Sequence, residues 1–427
     1  MDKLTSKEII LLLVQLGVLL ACSRFFAELA RRVKQPAVLG EIIAGIVLGP
    51  TLLGTVAPDF FNSLFPMEGL SRLVLDGLVQ LSIVLLLFIA GLEVDLHIVW
   101  QQGKKSLVVS FFSLVIPFIV GFLVAYTTPH FFGVAEEDTL IFSLFIATVM
   151  GMTALPVIAR ILMDLELFKS SMGMLIIASA MIVDLLCWMI FSIILTMMGG
   201  GHQEHSLSRT IWMTVGFSII MLTIGRGIIN YVLPFVNRFL AWPGGLLSLS
   251  LVLCFLSAAL TEFIGIHAIF GAFIAGVVLG DSEHMSERAK EILHQFINNI
   301  FAPLFFVSIG LYLNLVVSFS LPLVVVIFVL AFIGKGFGAT LGARISGLKT
   351  SQSLAVGMGM NTHGTLEIIL STIALQANLI SEEIFVAILL TVIATILISA
   401  PAVKYAIELD KRQNRFRRFV NKVFREK

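Results

Sequence analysis

The sequence predicts an all-α membrane protein of about thirteen transmembrane helices, arranged as two inverted repeats. Three observations carry this. Hydrophobic residues make up 58% of the 427 residues and charged residues 13%, with a mean hydropathy of +1.02. A soluble domain is about 45–50% apolar and about 25% charged. The apolar residues gather in runs of roughly 20, the length of a helix that spans a bilayer, whereas barrel strands would alternate over about 10. A glycine-rich stretch near the start of the chain recurs late in it.

The runs predict spans over 8–30, 36–50, 71–92, 105–126, 138–163, 170–198, 208–233, 244–262, 265–280, 290–312, 319–344, 351–376 and 383–408. The first follows "MDKLTSKE" with no small-residue cleavage site after it, so it reads as a retained span. The second and ninth are short, and the eighth and ninth form a tight hairpin. No stretch between spans is long enough for a soluble domain, so residues 1–410 form one membrane domain. Cys22, Cys187 and Cys254 are scattered through apolar runs, which argues against a disulfide framework or a metal site.

Basic residues in short loops set orientation. Arg31, Arg32 and Lys34 follow span 1; Lys104 and Lys105 follow span 3; Arg160 and Lys169 flank the turn after span 5. Arg238, Arg288, Lys290, Arg344 and Lys349 fall after spans 7, 9 and 11, while "TTPHFFGVAEED" and "LQANLISEE" carry no Lys or Arg. The expected topology has the N-terminus outside and the C-terminus in the cytoplasm, in a bacterial inner (plasma) membrane. Residues 411–427 are densely basic, with Phe416, Phe419, Val420, Val423 and Phe424 at helical spacing. They read as an amphipathic helix on the anionic leaflet or as a linker to a further domain.

"VLGEIIAGIVLGP" at 38–50 matches "IFGAFIAGVVLGD" at 269–281, with Gly40, Ala44, Gly45 and Gly49 on Gly271, Ala275, Gly276 and Gly280. "FIAGLEVDL" matches "VSIGLYLNL", placing Gly91 on Gly310, and "MGMT" matches "MGMN", placing Gly151 on Gly359. Three matches in one order predict a repeat, the first copy over about 36–198 and the second over about 265–408. Seven spans separate the starts, so the copies are inverted, an arrangement that secondary transporters use for alternating access. Close packing through small residues also produces glycine-rich helices that look alike.

Two spans read as broken. Span 5 carries Gly151 and Pro156 around Thr153, and proline removes a backbone donor and clashes with the preceding turn. Span 12 carries Gly357, Gly359 and Gly364 around Asn361, Thr362 and His363. Broken backbone is tolerated at that depth where it is buried or lines a watery cavity, and its freed carbonyls and half-helix ends can hold an ion. A proline kink and flexible packing are the plain alternatives.

Asp184 sits in the apolar run 170–198, about 20 Å from either end at ~1.5 Å per residue. A carboxylate at the bilayer centre costs several kcal/mol unless a proton or a cation accompanies it. It is therefore the candidate carrier of both, with a structural hydrogen bond as the alternative. Lys335 is the only Lys deep in a span, and either pairs with a carboxylate or titrates. Glu367 lies one turn after His363 and is placed to pair with it or to cap the second half of span 12. Glu262, at the hairpin, is an entrance or structural group. Glu41 is placed to bond helix to helix, and His267 and His363 read first as packing histidines.

With these residues in hand, the chain resembles the monovalent cation:proton antiporter superfamily, in the branch that includes plant cation/H⁺ exchangers and glutathione-gated potassium efflux systems. The resemblance rests on "GEIIAGIVLGP", "LLFIAGLEVDL", "TALPVIARIL", "IGIHAIFGAFIAGVVLG" and "GMNTHGTLEII" in the expected order. It implies a sodium/proton antiporter-like fold with two crossing discontinuous helices and a dimerisation bundle. It puts Asp184 at the cation- and proton-binding aspartate, with Na⁺ or K⁺ as the metal ion carried there, Thr153 in the first broken helix, and Lys335 at a basic core position. A homodimer is implied.

Two positions depart from the family's pattern. Val183 stands where a polar residue usually precedes the aspartate, and His363 stands where Lys or Arg is frequent. With Val183 unable to titrate, Asp184 alone trades one H⁺ for one cation, so electroneutral exchange is expected. The expected function is exchange of Na⁺ or K⁺ for H⁺, with a cation channel or an ion-responsive sensor as alternatives. No enzymatic activity, no cofactor and no nucleic-acid partner are expected; the partners are the lipid bilayer, a second copy, and a cytoplasmic regulatory domain or subunit outside this chain.

Overall fold

The structure, a computed structural model, describes residues 5–33, 35–66, 69–135, 138–165, 167–198 and 207–425. All regular structure among them is helical. In chain order the helices are α1 (Ser6–Arg32), α2 (Ala37–Leu48), α3 (Leu53–Val56), α4 (Pro58–Leu64), α5 (Leu70–Leu92), α6 (Leu96–Gln102) and α7 (Lys104–Thr127). Then come α8 (Thr139–Gly151), α9 (Leu155–Asp164), α10 (Ser171–Met198), α11 (Leu207–Ile220), α12 (Arg226–Phe239), α13 (Gly244–Phe263) and α14 (Ala268–Gly280). The last are α15 (Glu287–Tyr312), α16 (Leu321–Ile345), α17 (Thr350–Met360), α18 (Thr365–Gln376) and α19 (Glu382–Arg425).

Each of the thirteen expected spans has its counterpart. Ten helices among the described residues are long and apolar enough to cross a membrane. The ninth span is the short α14, and the fifth and twelfth are the half-helix pairs α8–α9 and α17–α18. The seventh runs six residues past its expected end, because a π-helical turn at Met221–Gly225 joins α11 to α12 without a break. The last span does not stop at residue 408: α19 continues unbroken to Arg425. The side chains of 410–427, and with them the expected amphipathic face, lie outside the described residues, as does Lys34.

The chain forms two compact units. The first comprises Met1–Asp95 and Gly200–Phe319; the second comprises Leu96–Gly199 and Ser320–Lys427. In the first unit α2 packs on α15 and α14 packs on α5. The contacts are backbone-close. A Cβ on Gly45 would lie 2.2 Å from the Val307 carbonyl oxygen, and one on Gly276 would lie 2.0 Å from that of Phe88. In the repeat register Gly45 corresponds to Gly276 and Val307 to Phe88, so one contact is made twice. Only glycine permits such an approach, which is why these glycines recur. Leu19, Ala44, Leu48, Phe61, Leu75, Leu304 and Val307 build the adjoining core.

In the second unit α7 and α16 pack along Gly334, Gly338 and Gly342, which are spaced four apart on one face of α16. A Cβ on Gly338 would sit 2.5 Å from the Phe112 carbonyl. Small residues at this spacing are the usual means by which apolar helices approach closely in a bilayer. Against this pair lie α8 and α17, the first halves of the two broken spans, with α10 and α19 flanking them.

Candidate functional site

Both predicted breaks are present, in the second unit. The first helix of span 5 ends at Gly151, residues 152–154 are extended, and α9 restarts at Leu155 with Pro156 in its first turn. Proline suits that turn, since its missing N–H has no helical partner there. The Pro156 side chain lies outside the described residues. In span 12, α17 ends at Met360, and Asn361, Thr362, His363 and Gly364 are non-helical before α18 begins. Gly359 is not in the break but in the last turn of α17, where a Cβ would meet Ile176 of α10 at 3.2 Å.

The two breaks touch. The Ala154 N–H donates to the Thr362 carbonyl over 2.7 Å. A Cβ on Gly364 would lie 2.4 Å from the Ala154 Cβ. In the repeat register Ala154 corresponds to Thr362, so the crossing joins equivalent positions of the two copies. Orphan backbone groups at the broken ends are partly satisfied in this way.

Side chains around the crossing are buried and polar. Thr153, Asp184, Lys335, Asn361, Thr362, His363 and Glu367 each have at most 3% of their surface exposed. Asn361 donates through Nδ2 to the Phe332 carbonyl at 2.9 Å, and Thr362 donates to the Gly359 carbonyl at 2.9 Å. Thr153 Oγ1 and Asn361 Oδ1, which occupy equivalent repeat positions, have no hydrogen-bond partner among the described residues. Two buried oxygens without donors are the ligand type that a hard monovalent cation takes, and they fit a passing Na⁺ or K⁺ as substrate.

Lys335 is held by a backbone group. Its ammonium donates to the Gly151 carbonyl, at the C-terminal end of α8. The negative end of a half-helix dipole favours a cation there. Asp184 and Glu367 both lie within electrostatic reach of it. Glu367 fulfils both expectations at once. It accepts from His363 Nδ1 at 2.7 Å and from the Gly364 N–H at 3.3 Å, capping α18. His363 is thus partnered on one nitrogen, as a packing histidine would be; Nε2 has no partner among the described residues.

Two participants escaped the sequence reading. Cys187 is three residues beyond Asp184, one helical turn away, in electrostatic reach of Lys335, Asp184 and Glu367. Helical spacing alone would have placed it there. Ser399 of α19 donates to the Asn361 carbonyl at 3.2 Å, bracing the second break. No local signal marks that serine. In the first unit, Glu262 accepts from the Ala268 N–H at 2.8 Å and so caps α14, the structural role. Glu41 is buried, with Oε2 lacking a hydrogen-bond partner among the described residues and with Arg24 and Arg31 in electrostatic reach. The three cysteines are free thiols.

Buried charges beside crossed, broken helices of a many-span helical protein define a class, the secondary transporters that bind ions on discontinuous helices. A family model, sodium/hydrogen exchanger, transmembrane, matches residues 17–405, and the chain belongs to that family. It is 30% identical over 402 residues to the Na⁺/H⁺ antiporter NhaS4 of Synechocystis sp., covering 93% of this chain and 97% of that one. It is 29% identical over 394 residues to K⁺/H⁺ antiporter 1 of Saccharomyces cerevisiae, covering 90% of this chain but 45% of the yeast protein. The chain therefore spans less than half the length of that relative. Its fold is similar to that of the sodium proton antiporter MjNhaP1 from Methanocaldococcus jannaschii, with a TM-score of 0.62, 16% identity and coverage of 93% and 97%.

Proposed function

We propose that the protein exchanges Na⁺ or K⁺ for H⁺ one for one, with Asp184 as the group that holds either the cation or the proton. Cation/proton antiport itself follows from the family and from its antiporter relatives. The observation that carries the finer reading is the crossing. Ala154 bonds to Thr362, and on either side of that bond Thr153 Oγ1 and Asn361 Oδ1 are buried without donors among the described residues. Asp184 is buried within electrostatic reach of the lysine anchored at the same break.

The chemistry needs no covalent step. A protonated Asp184 has no net charge. Loss of the proton creates a carboxylate whose burial is costly unless a cation replaces the proton. The two loaded forms carry equal charge, so both can cross, while the empty carboxylate is held back by its desolvation cost. Val183, fully buried beside Asp184, offers no second titrating group. Movement of the unit bearing the broken helices relative to the membrane would expose Asp184 to each side in turn. The loop charges support an N-terminus outside, and the family resemblance supports a homodimer.

The test is exchange in proteoliposomes containing a pH dye, run with Na⁺, K⁺, Li⁺ and Rb⁺ and with a protonophore control. Cation addition moves the lumenal pH in the wild type, and Asp184→Asn abolishes that movement while the purified variant keeps its thermal stability. The gradient of cation that balances a fixed pH gradient equals it in ratio. Sustained exchange by the variant overturns the assignment of Asp184, and flux without pH coupling favours a channel.

A further inference from the structure

We propose that a proton path runs from the crossing toward the outer face along α18, through His363, Glu367 and water held at Ser371 and Thr391, and that it moves the proton by a route the cation does not take. The inference rests on the reading of Asp184 as the carrier.

Three buried polar atoms carry it. His363 Nε2, Ser371 Oγ and Thr391 Oγ1 have no hydrogen-bond partner among the described residues, and these residues are 1%, 0% and 3% exposed. A buried hydroxyl in a helix commonly donates to a carbonyl one turn back. Thr372 does so to Ile368 at 2.7 Å, and Ser399 to Thr395 at 2.6 Å. Ser371 and Thr391 do not. A buried polar group left unpaired costs about 1–3 kcal/mol, and bound water is the usual partner for such groups.

Their order along the chain gives the path a direction. His363 Nδ1 lies 2.7 Å from Glu367 Oε1. Ser371 follows Glu367 by four residues, on the same face of α18. The helix ends at Gln376, which is exposed, about 7.5 Å beyond Ser371 at ~1.5 Å per residue. The segment that follows carries no Lys or Arg, as an outer loop should. α19 packs on α18 and carries Ser399, Thr395 and Thr391 at the same spacing of four, with Ser399 bonded to the Asn361 carbonyl in the break. Both rows start at the break, and both end outward on a hydroxyl without a partner among the described residues.

The fold alone does not require these rows. In the repeat register His363, Glu367 and Ser371 correspond to Leu155, Ala159 and Met163 of α9. All three are apolar, so the other half-helix has no such row. A cation needs several oxygen ligands at once. A proton needs only groups that both donate and accept, as imidazole, carboxyl, hydroxyl and water do. A proton that leaves Asp184 and reaches His363 binds Nε2. The Nδ1 proton passes to Glu367, which hands it to the water at Ser371 and is a carboxylate again. One proton enters and one leaves. The imidazole recovers its tautomer when the ring turns over or when the next proton runs inward.

The experiment compares wild type, Ser371→Ala, Thr391→Val, the double variant and Ser371→Thr in proteoliposomes. Two rates are read: Na⁺/H⁺ exchange with a pH dye, and counterflow of labelled Na⁺ against Na⁺ at equal pH, which moves no proton. Exchange by the double variant falls roughly tenfold, less than the 10²–10⁴-fold that a positioned proton-transfer group contributes, because Glu367 remains. Counterflow stays within about twofold of wild type, and the slowing of exchange in D₂O grows, since proton transfer now limits the rate. Each single variant shows the same split to a smaller degree, and Ser371→Thr, which keeps the hydroxyl, behaves as wild type. A double variant with normal exchange overturns the proposal. So does a parallel fall in exchange and counterflow, which marks a structural defect or a shared route, or a Ser371→Thr protein as slow as Ser371→Ala. Asp184→Asn is the separate control: exchange that survives it defeats the carrier reading, whereas its loss alongside a normal double variant defeats only the path.

Discussion

Ala154 and Thr362, 208 residues apart in sequence, are joined by a 2.7 Å hydrogen bond from one broken helix to the other. Beside that bond Gly364 faces the Ala154 methyl with no room for a side chain. The two breaks are therefore a matched pair, and the site depends on their approach.

That approach is open to a size-exchange experiment. Gly364→Ala forces the crossing apart and reduces exchange, with a stability loss of roughly 1–3 kcal/mol from overpacking. Ala154→Gly added to it reopens the space and recovers much of both. A double variant as impaired as Gly364→Ala alone would show that the backbone of residue 364, rather than its contact with Ala154, is what matters.

The repeated helix contact in the first unit makes a second prediction. Gly91→Ala places a Cβ 2.1 Å from the Phe273 carbonyl and Gly45→Ala places one 2.2 Å from that of Val307. Backbone cannot yield as a side-chain tip does, so both variants lower the thermal midpoint markedly, by similar amounts. Gly17→Ala, in the interior of α1 with nothing within 4 Å among the described residues, gains up to about 1 kcal/mol of helix propensity instead. Equal behaviour of all three would contradict the packing account.

A third concerns the ion pair that fastens α12 to the end of α14. Arg226 and Asp281 meet at 2.8 Å, the carboxylate 3% exposed and the guanidinium 39%. Arg226→Gln leaves a buried carboxylate with a weaker donor and costs roughly 1–3 kcal/mol, less than a fully buried pair because the arginine is part-solvated. Pairing it with Asp281→Asn recovers part of the loss. Thermal unfolding of the four proteins checks this, and strict additivity would deny the coupling.

Orientation is checked with single cysteines in a background lacking Cys22, Cys187 and Cys254. Gln101 and His130 are exposed beyond opposite ends of α7. An impermeant maleimide labels a cysteine at position 130 from outside and one at 101 only after the membrane is opened. The reverse pattern inverts the topology drawn from the basic loops.

The sequence by itself determined the membrane class, the thirteen spans and both breaks, because each rests on local chemistry. Twenty apolar residues must pair their own backbone groups in lipid and so form a helix. Proline and clustered glycines weaken that helix, and it breaks at residues 152–154 and 361–364 but runs on through Pro117 in α7 and Pro303 in α15. Asp184, Lys335 and Glu367 were conspicuous for the same reason, as charges where charge is costly. What they touch was not legible. Lys335 was equally suited to a carboxylate, but its ammonium settles on the Gly151 carbonyl, a backbone group that every residue carries. Ser399 bonds to Asn361 across 38 positions, and serine is ordinary in a packed helix. Glycine 45 meets Val307 and Gly276 meets Phe88 only once the helices have packed. Partner choice of this kind is made by the tertiary structure, since the direction and depth of a helix contact depend on many weak fits at once, and no single residue announces them.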